Sequence, residues 1–456
     1  MIINCRYELH EALGRGGMGV VYRATDLLSG HPVALKQVTV PTGLLAFESR
    51  GGDADLDFAL AQEFKALATI RHPHIISVYD FGFDVQGQPY FTMEYVDGGR
   101  PILDAGRDLA LEARVGLIIQ MLQALVYLHR HGILHRDVKP SNALVLDGQL
   151  KLLDFGLSVI TSQTMEHLTH TTAGTMAYMA PELFQGAPYS KATDLYAAGV
   201  IAFELFTGRF PYEQSNLATM MRDVLGKQVE AASYGVAGEL ADVLDRLLVK
   251  SPGGRYHEAE HVIRDLCAAA GLPLPPETEQ IRESFLQAAK FVGREAEMSY
   301  LVDLLKAATA GQGSLILISG ESGVGKSRLL EELRIWALVE GILVLRGQAV
   351  SDGRGYYQLW RDVLRSILLY VQPGQDELAL LQPVVPDLAR LLNPPTMETD
   401  PTGPQRMLAL ALQAKVDEYI RRHDCERNEN GHDLVLLLLL LTSCSLPASR
   451  NSLLHR

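Results

Sequence analysis

The stretch His135-Arg136-Asp137-Val138-Lys139-Pro140-Ser141-Asn142 limits more than any other what this chain can fold into. It sets an acid, a cation and an amide at fixed offsets. Asp137 can take a proton from an attacking hydroxyl, Lys139 can hold a phosphate oxygen, and Asn142 can offer a carbonyl oxygen to Mg²⁺. Its flanks are as specific. Leu111 to His131 has the apolar spacing of a long helix, while Ala143–Leu146 and Leu150–Leu153 are strand-like around the hairpin dipeptide Asp147-Gly148. The reactive groups are thus carried on a loop between a helix and a hairpin. The hairpin's second strand delivers Asp154-Phe155-Gly156, a carboxylate beside a flexible glycine, which suits a Mg²⁺ ligand.

Upstream, residues 7–40 read as three strands with a glycine turn. Gly14, Gly16 and Gly19 form G-x-G-x-x-G, and glycine lets a backbone approach phosphate oxygens. A dinucleotide-binding turn would open a helix at once. Here the pattern extends to Val21 and runs into the β-rich segment Val33-Ala34-Leu35-Lys36. Pro41 to Asp57 reads as a connector. Phe58 to Ile70 has helical spacing and presents Glu63 as a partner for Lys36. Ile75–Tyr79 and Tyr90–Tyr95 read as strands joined by the turn Val85–Pro89. Ser158 to Thr175 is a Ser/Thr-rich loop closed by Ala180-Pro181-Glu182, and an apolar helix runs from Asp194 to Phe206.

These motifs together resemble a eukaryotic-type serine/threonine protein kinase of the bacterial kind, over residues 7 to about 268. The resemblance implies a two-lobed α+β kinase fold, with a mostly β N-lobe (about 7–96) and a mostly α C-lobe (about 97–268). It implies ATP and Mg²⁺ as cofactors and protein Ser/Thr hydroxyls as substrates. Asp137 and Lys139 would be catalytic, as would Lys36 with its ion-pair partner Glu63. Gly14, Gly16, Gly19, Val21, Ala34, Lys36, Met93 and the backbone of Glu94 and Val96 would bind nucleotide. Asn142 and Asp154 would bind metal. Thr171 and Thr172 would be phosphorylation sites facing Arg136, and Arg255 would pair with Glu182. Lys139 and Thr175 favour serine/threonine over tyrosine substrates.

Leu272-Pro273-Leu274-Pro275-Pro276 marks a break, and 269–289 reads as a linker. Beyond it, Gly320-Glu321-Ser322-Gly323-Val324-Gly325-Lys326-Ser327 lies between an expected strand, Ser314–Ile318, and a helix from Arg328. In that context backbone amides cradle phosphates; Gly320 and Gly325 shape the loop, Lys326 reaches the β/γ oxygens and Ser327 ligates Mg²⁺. With Phe291-Val292-Gly293-Arg294-Glu295 ahead of it, 290–456 resembles a partial α/β P-loop NTPase domain of the AAA or signal-transduction type. Such a module needs a second apolar strand ending in acids. Leu434–Leu441 is apolar but ends in Thr442-Ser443-Cys444, so the expectation is a truncated module that binds nucleotide and hydrolyses it poorly. A nucleotide-dependent regulatory switch driven by this module is the alternative reading of the whole chain.

Composition bounds the setting. A chain of 456 residues suggests two or three domains, and a net charge of −13 argues against a general nucleic-acid surface. Four scattered cysteines fit a reducing, cytoplasmic compartment. The longest apolar run, Leu434–Leu441, falls well short of the roughly 18–20 residues of a membrane span, and reads as a buried strand. Expected partners are ATP and protein substrates, with no nucleic acid and no membrane. Self-assembly, as a homodimer or otherwise, stays open.

Overall fold

A computed structural model describes residues 1–16, 19–38, 70, 72–84, 88–153, 176–236, 238–276 and 293–309. Beyond these it describes 312, 314, 316, 318, 320–321, 323–339, 342, 344–347, 358–369, 381, 385 and 437–438. The chain divides into two compact units: Met1–Ala61 with Phe81–Thr92 and Lys290–Arg456, and Gln62–Asp80 with Met93–Ala289.

The N-terminal part is a sheet of β1 (Ile2–Ile3), β2 (Tyr7–Gly16), β3 (Gly19–Asp26), β4 (Pro32–Val38), β5 (Val78–Phe83) and β6 (Pro89–Glu94). Their order is β1-β2-β3-β4-β6-β5. Ile3, Tyr7, Ala24, Val33, Leu35 and Tyr90 form one apolar cluster in it. Arg6 fixes the first turn by donating to both carboxylate oxygens of Asp26, at 2.9 and 3.2 Å. The ladder between β2 and β3 shifts register twice, between Leu9 and Gly14, so β2 bends just before its glycines.

The second unit is mostly helical. After β7 (Arg100–Pro101) come α1 (Ile102–Gly106) and α2 (Leu111–Arg130), then β8 (Ala143–Leu146), β9 (Gln149–Leu152), α3 (Pro181–Phe184), α4 (Lys191–Thr207), α5 (Leu217–Gly226), α6 (Glu239–Leu247) and α7 (Ala259–Ala270). α2 is apolar and long enough to cross a membrane. It is instead a core helix, with Val115, Ile118, Met121, Leu122, Leu125 and Leu128 buried and with α4, α7 and β9 packed on it. α4 begins at Lys191, three residues earlier than its apolar pattern indicates, because Ser190 and Thr193 form a capping box. It meets α6 at backbone range: a Cβ on Gly199 would lie 2.7 Å from the Leu247 Cβ.

The strand expected at Ile75–Tyr79 is displaced to Val78–Phe83. The preceding segment is occupied elsewhere. His74 O accepts from Leu152 N–H at 2.9 Å, Ile76 N–H donates to Leu152 O at 3.0 Å, and Ile75 bridges Leu152 in parallel. The helix Phe58–Ile70, the connector Pro41–Asp57 and the loop Ser158–Thr175 fall on residues outside those described, apart from Ile70.

The first unit's C-terminal part holds α8 (Glu295–Thr309), α9 (Lys326–Val339), β10 (Leu345–Arg346), α10 (Gln358–Leu368) and β11 (Leu437–Leu438). Leu301 and Leu305 of α8 pack on Leu329, Leu333 and Ala337 of α9. The expected strand Ser314–Ile318 is described only at Ser314, Ile316 and Ile318, none in a ladder. Within the run Leu434–Leu441, Leu437 and Leu438 pair antiparallel with β10.

One buried pair gives a pH dependence. His72 Nδ1 accepts the His74 N–H at 3.2 Å, so that nitrogen must carry no proton. Burial, with His74 and Lys151 nearby, pushes the His72 pKa down to about 3. The folded group therefore stays neutral while the unfolded one protonates near pH 6.5. Stability is fully present above that pH and falls as pH drops towards 3. The expected slope is up to about 1.4 kcal/mol per pH unit. Urea unfolding at pH 7 and pH 5 checks this: His72→Phe is expected to reduce the loss between the two.

Candidate active site

In the first unit, strand register gathers the glycines and the lysine. The Cα pairs Gly16↔Gly19, Gly14↔Val21, Val21↔Lys36 and Arg23↔Ala34 put Gly14, Gly16, Gly19, Val21, Ala34 and Lys36 on one face of the sheet, since pairs across an antiparallel ladder share a side and residues two apart do too. Gly19 has φ 130°, which excludes a side chain. Gly14 and Gly16 have neither positive φ nor, among the described residues, any atom within 4 Å of an added Cβ. Glycine weakens a strand, and where it occurs inside one it often accompanies a bulge or the close approach of a ligand or another backbone. Lys36 is buried at 4% exposure, its Nζ 5.9 Å from the centre of the Phe91 ring.

In the second unit the loop 133–142 is held from below by one carboxylate. Asp194, 2% exposed, accepts the His135 N–H on Oδ2 and the Arg136 N–H on Oδ1, both at 2.9 Å. His129 Nε2 meets the same Oδ2 at 2.8 Å. These bonds hold Arg136 at φ 68°, a left-handed conformation costly for a residue with a side chain. Asp137 then stands with Lys139 Nζ at 2.7 Å from its Oδ2 and the Asn142 Nδ2 donating to the same oxygen at 2.9 Å. Asn142 Nδ2 also donates to the Asp137 carbonyl at 2.8 Å. The amide nitrogen being so engaged, Asn142 presents its Oδ1 as the remaining group, a hard oxygen donor suited to Mg²⁺. The Arg136 guanidinium lies 5.6 Å from the Tyr189 ring centre. Burial and the Asp137 charge raise the Tyr189 pKa, keeping that hydroxyl protonated beside the loop.

The segment after β6 is pinned too. Met93 is buried. Glu94 N–H donates to Ser77 O at 2.9 Å, and its side chain pairs with Lys151 Nζ at 3.1 Å. Val96 O accepts the Gly99 N–H at 3.1 Å. The Arg255–Glu182 pair is bidentate, at 2.8 and 2.7 Å, with Arg255 1% exposed and also donating to Val249, Lys250 and Ala192 carbonyls.

In the other part of the first unit, Gly320, Gly323 and Gly325 have φ 156°, 81° and 92°, and α9 starts at Lys326 with Ser327 in its first turn. The Lys326 ammonium donates to Gly320 O and Glu321 O at 2.8 and 2.9 Å.

Glu63, Asp154, Thr171 and Thr172 lie outside the described residues. Sequence reasoning assigned no chemistry to His129, Tyr189 or Lys151, and did not see what Asp194 does for the loop. The signal available was a carboxylate at the head of an otherwise apolar helix, which buried ends without a strong reason only rarely.

The first unit thus carries a sheet face of glycines with a buried lysine, and the second a strained loop with an acid, a lysine and an amide. Residues 7–266 match the family described as "Protein kinase domain", and 290–437 match "AAA ATPase domain". The chain belongs to the protein kinase family. It is 35% identical over 272 residues to a probable serine/threonine-protein kinase of Streptomyces coelicolor, covering 57% of this chain and 39% of that one. It is 33% identical over 272 residues to serine/threonine-protein kinase PknB of Mycolicibacterium smegmatis, covering 57% and 42%. With serine/threonine-protein kinase PrkC of Bacillus subtilis it shares 29% over 273 residues, covering 59% and 41%. The chain thus spans about two fifths of the length of these curated relatives.

Asp194→Asn tests the loop's support. It removes the charge and one of two acceptors, and is expected to lower stability by about 2–4 kcal/mol. Phosphate transfer per folded molecule, with the folded fraction read by near-ultraviolet circular dichroism, is expected to fall further than unfolding accounts for.

Proposed function

We propose that this chain is an active serine/threonine protein kinase that transfers the ATP γ-phosphate to protein hydroxyls in bacterial signal transduction. The observation that carries the reading is the arrangement around Asp137. Lys139 and Asn142 both bond Oδ2, which leaves Oδ1 to accept the proton of a substrate hydroxyl. The hydroxyl oxygen attacks the γ-phosphorus, the bond to the β–γ bridging oxygen breaks, ADP leaves, and the proton passes to Asp137. Lys139, already beside that carboxylate, offsets charge on the transferred group. Lys36, with Glu63 as its partner, holds the α- and β-phosphates over the glycine-lined face of Val21 and Ala34. The bonds of Glu94 and Val96 leave the Glu94 carbonyl and the Val96 N–H for the adenine edge, beside Met93. Asn142 and Asp154 would hold Mg²⁺, which when bound neutralises phosphate charge.

We place the kinase domain at 1–268, a linker at 269–289 and the P-loop module at 290–456. The setting fits the cytoplasm, with Cys5 and Cys267 as free thiols. The module is proposed to bind nucleotide through Gly320, Gly325, Lys326 and Ser327 and to hydrolyse it poorly, since its apolar run Leu434–Leu441 leads into Thr442-Ser443-Cys444 rather than an acid.

Asp137→Asn is expected to abolish autophosphorylation from γ-³²P-labelled ATP while nucleotide still binds. Phosphopeptide mass spectrometry is expected to find Thr171 and Thr172 modified only in the parent chain; undiminished incorporation in the variant would remove the assignment. ATP turnover by a Lys36→Ala, Asp137→Ala chain is expected to be negligible. Turnover that persists there and vanishes with Lys326→Ala would overturn the reading of the module as a poor hydrolase.

A further inference from the structure

We propose that Arg294 is a positioning residue of the phosphate loop, setting the direction of the Gly325 amide through the carbonyl of Val324. The inference rests on the reading of 320–327 as a nucleotide-phosphate site.

Arg294 Nη2 donates to Val324 O at 2.6 Å across 30 residues of sequence. Val324 and Gly325 share one peptide unit, and no cis peptide bond occurs among the described residues. In a trans unit the C=O and the N–H point to opposite sides of the chain. A guanidinium that holds the Val324 carbonyl on one side therefore turns the Gly325 N–H to the other. That unit has little of its own to fix its direction: Gly323 and Gly325 sit at φ 81° and 92°, and glycine backbones flip readily. A loop that binds anions through amides needs those amides aimed before the anion arrives.

Both ends of the contact are anchored. Arg294 directly precedes α8, its carbonyl accepting the Met298 N–H at 3.0 Å, and Glu295 Oε1 accepts the Gly293 N–H at 3.0 Å. The bond to Gly293 N–H lowers the Glu295 pKa. On the other side Gly325 O accepts the Leu329 N–H at 3.0 Å, which seats the loop on α9. Leu301 and Leu305 then lock α8 to α9 through Leu329 and Leu333. The arginine is thus a strut between two helices whose relative position the core already fixes. Lys326 plays a different part, its ammonium resting on the carbonyls of Gly320 and Glu321, where phosphate oxygens can take it over.

The test is hydrogen–deuterium exchange of the full chain, titrated with Mg²⁺–ADP and read on peptides covering 320–329, which separates this site from any other nucleotide site. The parent chain is expected to gain protection there, and Lys326→Ala to lose it. Arg294→Ala is expected to raise the ADP concentration for half protection about tenfold, the range of one charge-assisted hydrogen bond. Arg294→Lys, which keeps a cationic donor, is expected to recover part of the loss. Exchange of peptides within α8 and α9 without nucleotide should match the parent chain, which separates aim from folding. AMP, which has no β-phosphate, should show less than a threefold change. A half-protection point within twofold of the parent in Arg294→Ala overturns the proposal. So does an equal loss for AMP and ADP, or exchange that rises throughout α8 and α9. If ADP protects nothing at 320–329 in the parent chain, the phosphate-site reading falls, and this inference with it.

Discussion

Two consecutive backbone amides and one histidine share the carboxylate of Asp194, and the loop 133–142 depends on that sharing. A carboxylate with 2% exposure survives in a protein interior only when its lone pairs are taken up. Here the donors are His135 N–H, Arg136 N–H and His129 Nε2. The benefit is mutual: the charge is solvated by the protein, and the loop gains a rigid floor. With that floor in place, Arg136 can hold its left-handed backbone, and Asp137 meets Lys139 and Asn142 on one oxygen. The floor belongs to α4, whose own seat is the buried core of the helical unit.

Much of this was legible in the residue string. The helix before the loop and the hairpin after it follow from apolar spacing and from Asp147-Gly148, and both stand within a residue or so of their expected limits. The Arg255–Glu182 pair was legible as well, through resemblance. The displaced strand at 78–83 was not. Propensity describes Ile75 and Ile76 correctly as extended, but cannot tell which partner an extended segment takes; here Leu152 takes it. The start of α4 was misjudged because a capping box is read from hydroxyls rather than from apolar period. The partners of Asp194 were hidden because they are backbone amides, and a sequence does not display where its amides point.

The two glycine-rich segments are built by different means. In β2 the glycines Gly14 and Gly16 lie in an extended ladder and leave room among the described residues. In the loop before α9 the glycines take backbone angles that side-chain-bearing residues avoid, so that amides can be turned inward. The first device is permissive and the second is conformational. The loop before α9 is also bonded from outside, by Arg294 to the Val324 carbonyl, whereas the strand pair is fastened by its own ladder.

Gly14 and Gly16 carry a consequence for how variation in this chain is interpreted. Among the described residues nothing lies within 4 Å of a methyl group at either position. A methyl there would even narrow the unfolded ensemble and favour folding. A survey that scores variants by expression or melting temperature would thus rank alanine at 14 or 16 as neutral or improved. Under the proposed function, only an assay with nucleotide present registers the cost. Robustness and activity are uncoupled at these two sites, and a lineage selected for sturdiness alone would be free to lose them.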